Sequence, residues 1–249
     1  MGNVAAAPKQ EHIFPRSHNA WPLVVSFYGD GEQWLGHALL DFFDSTALTG
    51  PMTELCEIMT KEGSDKGSGW HNYTLLYHFL FRHRRYEIRS VFELGLGTNF
   101  GDVPSNMGKG GVPGASLRGW RRYFPRARIL GADIDARVLF TEDRISTYHV
   151  DQLCPKAIDN LWRKISDERF DIIIDDGLHT FDANSIFFEH SVGKLKSAGY
   201  YIIEDIQIRP DNLNKYHDFF LSRHESGAII KIPNPHNNVD NCLGIFRGS

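Results

Sequence analysis

The stretch Ser90-Val91-Phe92-Glu93-Leu94-Gly95-Leu96-Gly97-Thr98-Asn99 decides how the rest of the chain is read. Its opening residues are apolar and β-rich enough for a buried strand, and two glycines follow at once. A glycine at that point lacks the Cβ that would hold a cofactor off the backbone, so the turn suits a nucleotide-binding α/β sheet. The dinucleotide fingerprint is incomplete. Phe100 stands where its third glycine would be, and the next helix begins only after Gly114, with Ser116 as its expected N-cap.

Working outward, apolar runs end repeatedly in polar residues. Ile129-Leu130-Gly131-Ala132 leads to Asp133, and Thr147-Tyr148-His149-Val150 leads to Asp151-Gln152. Ile172-Ile173-Ile174 leads to Asp175-Asp176-Gly177-Leu178-His179, and Tyr200-Tyr201-Ile202-Ile203 leads to Glu204-Asp205. Helical stretches are expected over 73–81, from Ser116 through Arg121, from Pro155 past Trp162, over 182–196 and over 212–223. Ala228-Ile229-Ile230-Lys231-Ile232 and Cys242-Leu243-Gly244-Ile245-Phe246 read as closing strands paired antiparallel at one edge. The alternation predicts an α/β fold with a mostly parallel central sheet and an antiparallel C-terminal edge.

In such sheets ligands gather at the carboxyl ends of the strands, which is where the acidic residues fall. Asp133 is placed to accept hydrogen bonds from ribose hydroxyls, and Asp151-Gln152 to face a base. The two acidic clusters bring hard oxygens and one imidazole to neighbouring strand ends. Carboxylates suit Mg²⁺ or another divalent cation, and His179 can take a proton from a substrate that the ion orients. Carboxylates also cap helices, and a lone histidine is usually a packed or solvated one. The joint arrangement favours the metal site.

The chain has 249 residues, a formal net charge of −4 and a sequence pI near 6.3. It is long enough for a full core and carries no electrostatic footprint for a phosphate backbone, so nucleic acid is not an expected partner. Arg82, Arg84, Arg85, Arg118, Arg121 and Arg122 make local basic patches, read as ordinary solvated helix faces. His71, His78 and His83 lack the spacing of a zinc site. Cys56, Cys154 and Cys242 are far apart with no CxxC pair, which fits a reducing cytoplasm. No membrane span or secretory signal is read, and the Met-Gly opening fails as a myristoylation signal because Ala6 replaces the required Ser or Thr. Residues 1–62 mix Pro8, Pro15 and Pro22 with Phe14, Trp21, Phe27, Tyr28 and Trp34. They read as an irregular N-terminal arm with short helices that covers the main domain, forms a lid or contacts another copy of the chain. Residues 63–249 are expected to form the cofactor-binding catalytic domain.

The pattern Glu-x-Gly-x-Gly at Glu93, Gly95 and Gly97, with Asp133 ending the next strand, resembles the class I S-adenosylmethionine-dependent methyltransferases. Asp175-Asp176-Gly177-Leu178-His179 with Glu204-Asp205 resembles, more narrowly, the metal-dependent O-methyltransferases that act on macrolide sugars. The resemblance covers roughly Gly63 to Glu204-Asp205 and implies a Rossmann-like fold. It implies Asp176, Glu204 and Asp205 as Mg²⁺ ligands and His179 as general base. Glu93, Gly95, Gly97, Asp133, Asp151 and Gln152 would surround S-adenosylmethionine, and the acceptor would be a hydroxyl of a sugar or polyhydroxylated natural product. The loop 102–114 is longer than that family's pattern leads one to expect. Asp65-Lys66, His71 and Tyr73 are placed to close over the donor. The rival readings are an NAD-dependent oxidoreductase, which leaves Asp176, Glu204 and Asp205 without a role, and a non-catalytic cofactor-binding subunit.

Overall fold

The computed structural model describes residues 10–14, 23–28, 52–67, 69–165, 169–223 and 227–248. In chain order these form β1 (Gln10–Phe14), β2 (Leu23–Tyr28), α1 (Glu54–Glu62), α2 (Tyr73–Phe81), β3 (Ser90–Leu94), α3 (Ala115–Tyr123), β4 (Arg128–Asp133), β5 (Thr141–Glu142) and β6 (Ile145–His149). There follow α4 (Pro155–Ile165), β7 (Phe170–Asp175), α5 (Phe181–Ser191), β8 (Leu195–Ile203), α6 (Pro210–Arg223), β9 (Gly227–Lys231) and β10 (Cys242–Arg247). All the strands join one sheet in the order β1-β2-β9-β10-β8-β7-β3-β4-β6-β5.

Strand alternation sends side chains to two cores. Val91, Ile129, Ile172, Ile174 and Ile202 pack with Leu55, Leu76, Tyr77, Leu117 and Trp120 from α1, α2 and α3. Phe92, Leu130, Ile173 and Tyr201 pack on the opposite face with Ile158, Trp162, Phe187 and Phe220 from α4, α5 and α6. The sheet is thus covered by helices on both sides, which is why its central strands are apolar throughout. Pairing is parallel among β6, β4, β3, β7 and β8. Chain order reverses between β3 and β7, and a crevice opens at their carboxyl ends.

Asp171 ties the opposite ends of these strands together. Its Oδ2 accepts hydrogen bonds from the backbone amides of Arg89 at 2.7 Å and Ser90 at 2.9 Å and from Lys196 Nζ at 2.9 Å. One carboxylate therefore fixes the start of β7 against the starts of β3 and β8. Part-burial works against its charge, yet the amides and the ammonium hold it below the usual carboxylate range.

The α/β reading holds, with differences at element ends. Gly114, not Ser116, caps α3; its φ of 72° is left-handed and leaves Ser116 inside the first turn. The helix expected over 182–196 stops at Ser191, and after a short 3₁₀ turn Lys196 already belongs to β8. β9 and β10 pair antiparallel as expected but are not at the edge, because β2 pairs with β9 and β1 with β2. At residues 10–14 and 23–28 that corrects the reading of the N-terminal arm as irregular, while α1 is one of the short helices expected there. Polar Gln10-Glu11-His12 and the neighbouring prolines obscured two strands, whose stability comes from pairing rather than local pattern. Trp21, Trp34, Pro8, Pro15, Pro22 and the Met-Gly opening lie outside the described residues. None of the described helices is long and apolar enough to cross a membrane.

Asp171→Ala should cost about 1–3 kcal/mol at pH 7. Because the folded pKa is depressed, this stabilisation is present above roughly pH 4 and lost as pH falls through the folded value. Urea unfolding of the variant and the parent should therefore converge towards pH 3; an equal gap at both pH values would remove the assigned role.

Candidate active site

Three strand ends meet around a buried ammonium. Lys66, in the loop after α1, is only 2 % exposed. Its Nζ donates to Asp176 Oδ2 at 2.5 Å and to Glu204 Oε2, and lies 3.6 Å from Glu93 Oε1. These carboxylates come from beyond β7, from beyond β8 and from within β3. Burial alone would lower the lysine pKa, but the charges of Asp176, Glu204 and Glu93 outweigh it and the net shift is upward. Burial pushes Glu204 and Glu93 up. The second oxygen of Glu204 accepts from the Tyr77 hydroxyl of α2 at 2.5 Å. Glu93 accepts from Ser116 Oγ at 2.5 Å and from Trp120 Nε1.

Asp205 faces a different set of groups. Its Oδ1 accepts from the Tyr73 hydroxyl at 2.7 Å and lies 3.6 Å from His71 Nδ1, while Oδ2 is 3.9 Å from His179 Nε2. Burial and the charge of Asp176 raise its pKa. His179 and Asp205 both adopt left-handed backbone, with φ of 57° and 56°. Such conformations cost energy in residues other than glycine and concentrate at functional sites. Asp176, His179 and Asp205 each offer a ligand atom, all within 4.8 Å of one another. Glu204 is not in that group, and its two oxygens are engaged by Lys66 and Tyr77. His179 Nδ1 is buried with no hydrogen-bond partner. Two hard carboxylates with an imidazole beside them fit a divalent cation.

A cleft of about 280 Å³ lies on the other side of the glycine turn, lined by Gly95, Gly97, Asp133, Asp151, Gln152 and Asp176 among others. Glu93 does not line it but lies beneath. Gly95 has φ 89°, and a Cβ there would stand 1.9 Å from the carbonyl oxygen of Asp176. Asp133 accepts from the backbone amides of Leu96 at 2.7 Å and Asp135 at 2.8 Å, so it braces the turn while facing the cleft. Gln152 Nε2 donates to Asp175 Oδ1 at 2.8 Å, and its Oε1 accepts from the Leu178 amide at 2.8 Å. Asp151 accepts from the Leu153 amide at 2.9 Å. The long loop is anchored by Met107 N to Thr98 O at 2.8 Å and Gly114 N to Leu96 O at 2.7 Å, and its Val103, Pro104 and Ser105 form a wall of the cleft.

A second, more polar cavity of about 250 Å³ is lined by Asp65, Lys66, Trp70, His71, His179 and Asp205, among others. The cavities share Gly95, Gly97, Ser105 and Asp176, so they adjoin at the strand ends. Lys66, His71 and Tyr73 thus belong to the acidic side rather than closing over the first cleft. Sequence reasoning missed Tyr77 and the exposed apolar Ile134 and Leu153 in the first cleft. An apolar residue directly after a strand-end acid was the available signal for Ile134. The basic patches are largely paired with acids: Arg85 with Glu54, Arg84 with Glu87, Arg118 and Arg121 with Glu142, and Arg122 with Glu62. His78 contacts the Tyr123 hydroxyl at 2.9 Å.

No family model matches the chain. It is 33 % identical over 162 residues to 8-demethyl-8-(2-methoxy-alpha-L-rhamnosyl)-tetracenomycin-C 3'-O-methyltransferase of Streptomyces olivaceus, covering 64 % of this chain and 38 % of that protein. To mycinamicin VI 2''-O-methyltransferase of Micromonospora griseorubida it is 32 % identical over 153 residues, covering 61 % and 36 %. The chain thus spans well under half the length of these curated relatives. The structure of the MycE methyltransferase from the mycinamycin biosynthetic pathway, in complex with Mg and SAH, aligns with TM-score 0.60 and 25 % identity over 88 % of this chain and 62 % of that one. The reversal of strand order at the glycine turn, the strand-end acids and these likenesses agree: the chain has the fold of the class I S-adenosylmethionine-dependent methyltransferases and resembles the mycinamicin-type sugar O-methyltransferases.

Proposed function

We propose that the chain is an S-adenosylmethionine-dependent O-methyltransferase acting on a hydroxyl of a sugar or polyhydroxylated natural product. The observation that carries this reading is the meeting of two unlike cavities at Asp176. The first has the glycine turn, Asp133, Asp151 and Gln152 expected around the donor. The second has Asp176, Asp205 and His179, expected around an acceptor hydroxyl. Methyl transfer forms a C–O bond as the C–S bond of the sulfonium breaks, in line, so holding the oxygen and the methyl carbon together is the main catalytic task. His179 receives the hydroxyl proton, with Asp205 Oδ2 3.9 Å from its Nε2. A divalent ion, Mg²⁺ in the first instance, would be held by Asp176, Glu204 and Asp205 and would supply Lewis acidity that makes the hydroxyl easier to ionise. The likeness to a rhamnosyl-tetracenomycin-C 3'-O-methyltransferase and a mycinamicin VI 2''-O-methyltransferase supports the acceptor class, and the Mg and SAH in the MycE structure support the cofactors.

Calorimetric titration should show binding of S-adenosylmethionine and none of NAD⁺; the reverse selectivity would install an oxidoreductase instead. His179→Ala should bind the donor as the parent does while turnover falls by about 10²–10⁴. Turnover retained in that variant would leave the base unassigned. Gly95→Ala forces a side chain against the Asp176 carbonyl and should abolish donor binding. Chelation should stop methyl transfer and Mg²⁺ should restore it, whereas full activity in chelator would remove the metal from the reading.

A further inference from the structure

Glu204 is expected to hold the metal ion, yet both its oxygens are already engaged and the residue is only 1 % exposed. One oxygen accepts from the Tyr77 hydroxyl and the other from the Lys66 ammonium. Lys66 also holds Asp176 at 2.5 Å. A fixed positive charge therefore already bridges two of the three carboxylates assigned to the ion. From this geometry we infer that Lys66 and a divalent cation are alternative counter-cations for Glu204, so Lys66 is a positioning residue that sets how tightly the centre takes its metal. The inference rests on the metal-dependent reading above.

The physics is competition between like charges. With Lys66 in place, a divalent ion gains Asp176 and Asp205 directly but obtains Glu204 only by displacing the ammonium. The ion also sits close to that ammonium in a site of low dielectric, where repulsion is strong. With Lys66 neutralised, the buried carboxylates have lost their partner, and an external cation is the remaining way to compensate them. The cost of losing Glu204 as a ligand must then depend on Lys66. In the parent, Glu204→Gln removes a ligand and also the anchor of its competitor, so the two effects offset. Without the ammonium, only the loss remains.

Mn²⁺ serves as the probe, titrated into the full chain without substrate and followed by electron paramagnetic resonance. Lys66→Met should bind Mn²⁺ at least tenfold more tightly than the parent. Glu204→Gln should change affinity by less than about threefold in the parent and by more than tenfold in the Lys66→Met background, a coupling that a double-mutant cycle reads directly. A purely structural lysine would not produce tighter binding when removed. Lys66→Gln keeps hydrogen-bond donors for the carboxylates and should show the same gain, guarding against a folding defect in the methionine variant. Unchanged or weaker binding in both lysine variants would overturn the inference, as would an equal cost of Glu204→Gln in the two backgrounds. Failure of every form to bind Mn²⁺ would overturn it together with the metal requirement, and donor calorimetry would then show whether the methyltransferase reading stands alone.

Discussion

Carboxylates crowded at adjacent strand ends repel one another, and the fold tolerates them because a single buried ammonium lies among them. Glu93, Asp176 and Glu204 come from β3, β7 and β8 or the residues directly after them, and Lys66 reaches all three from a loop that packs over the crevice. Their charges would otherwise be costly at this depth, and the upward pKa directions of Glu93 and Glu204 show that burial still penalises them. The loop after α1, the tyrosines of α2 and the first turn of α3 are positioned to serve this cluster through Lys66, Tyr77 and Ser116. The helical layer on that face of the sheet therefore does more than cover apolar strands.

The opposite ends of the same strands are held by a contrasting device. Asp171 is one carboxylate gathering several donors, while Lys66 is one donor gathering several carboxylates. Between the two, β3, β7 and β8 are registered at both ends. The strained backbone at His179 and Asp205 lies just beyond the part of the sheet that is pinned in this way.

Much of this was legible in the sequence because strand ends and glycine turns are local. Gly95 and Gly97 announced a turn that admits no side chain, and the apolar runs before Asp133, Asp176 and Glu204 placed those acids at the crevice. What escaped was non-local. Lys66 read only as a residue placed to close over the donor, since nothing near it in the chain reveals that Asp176 and Glu204, more than a hundred positions later, will surround it. Tyr77 sits in an apolar helical run where its hydroxyl carries no pattern. β2 pairs with β9, some two hundred residues away and beyond any window of sequence, and β1 in turn pairs with β2. Ser116 read as a cap by residue type, yet its hydroxyl is spent on Glu93.

Gln152 has a consequence of a different kind. It lines the cleft beside the glycine turn, while its amide group grips Asp175 and the backbone of Leu178, the residue before His179. The wall of one cavity and the segment that carries the imidazole of the other are thus a single hydrogen-bonded piece. Any influence that an occupant of the first cavity has on the affinity of the second must be returned in equal measure.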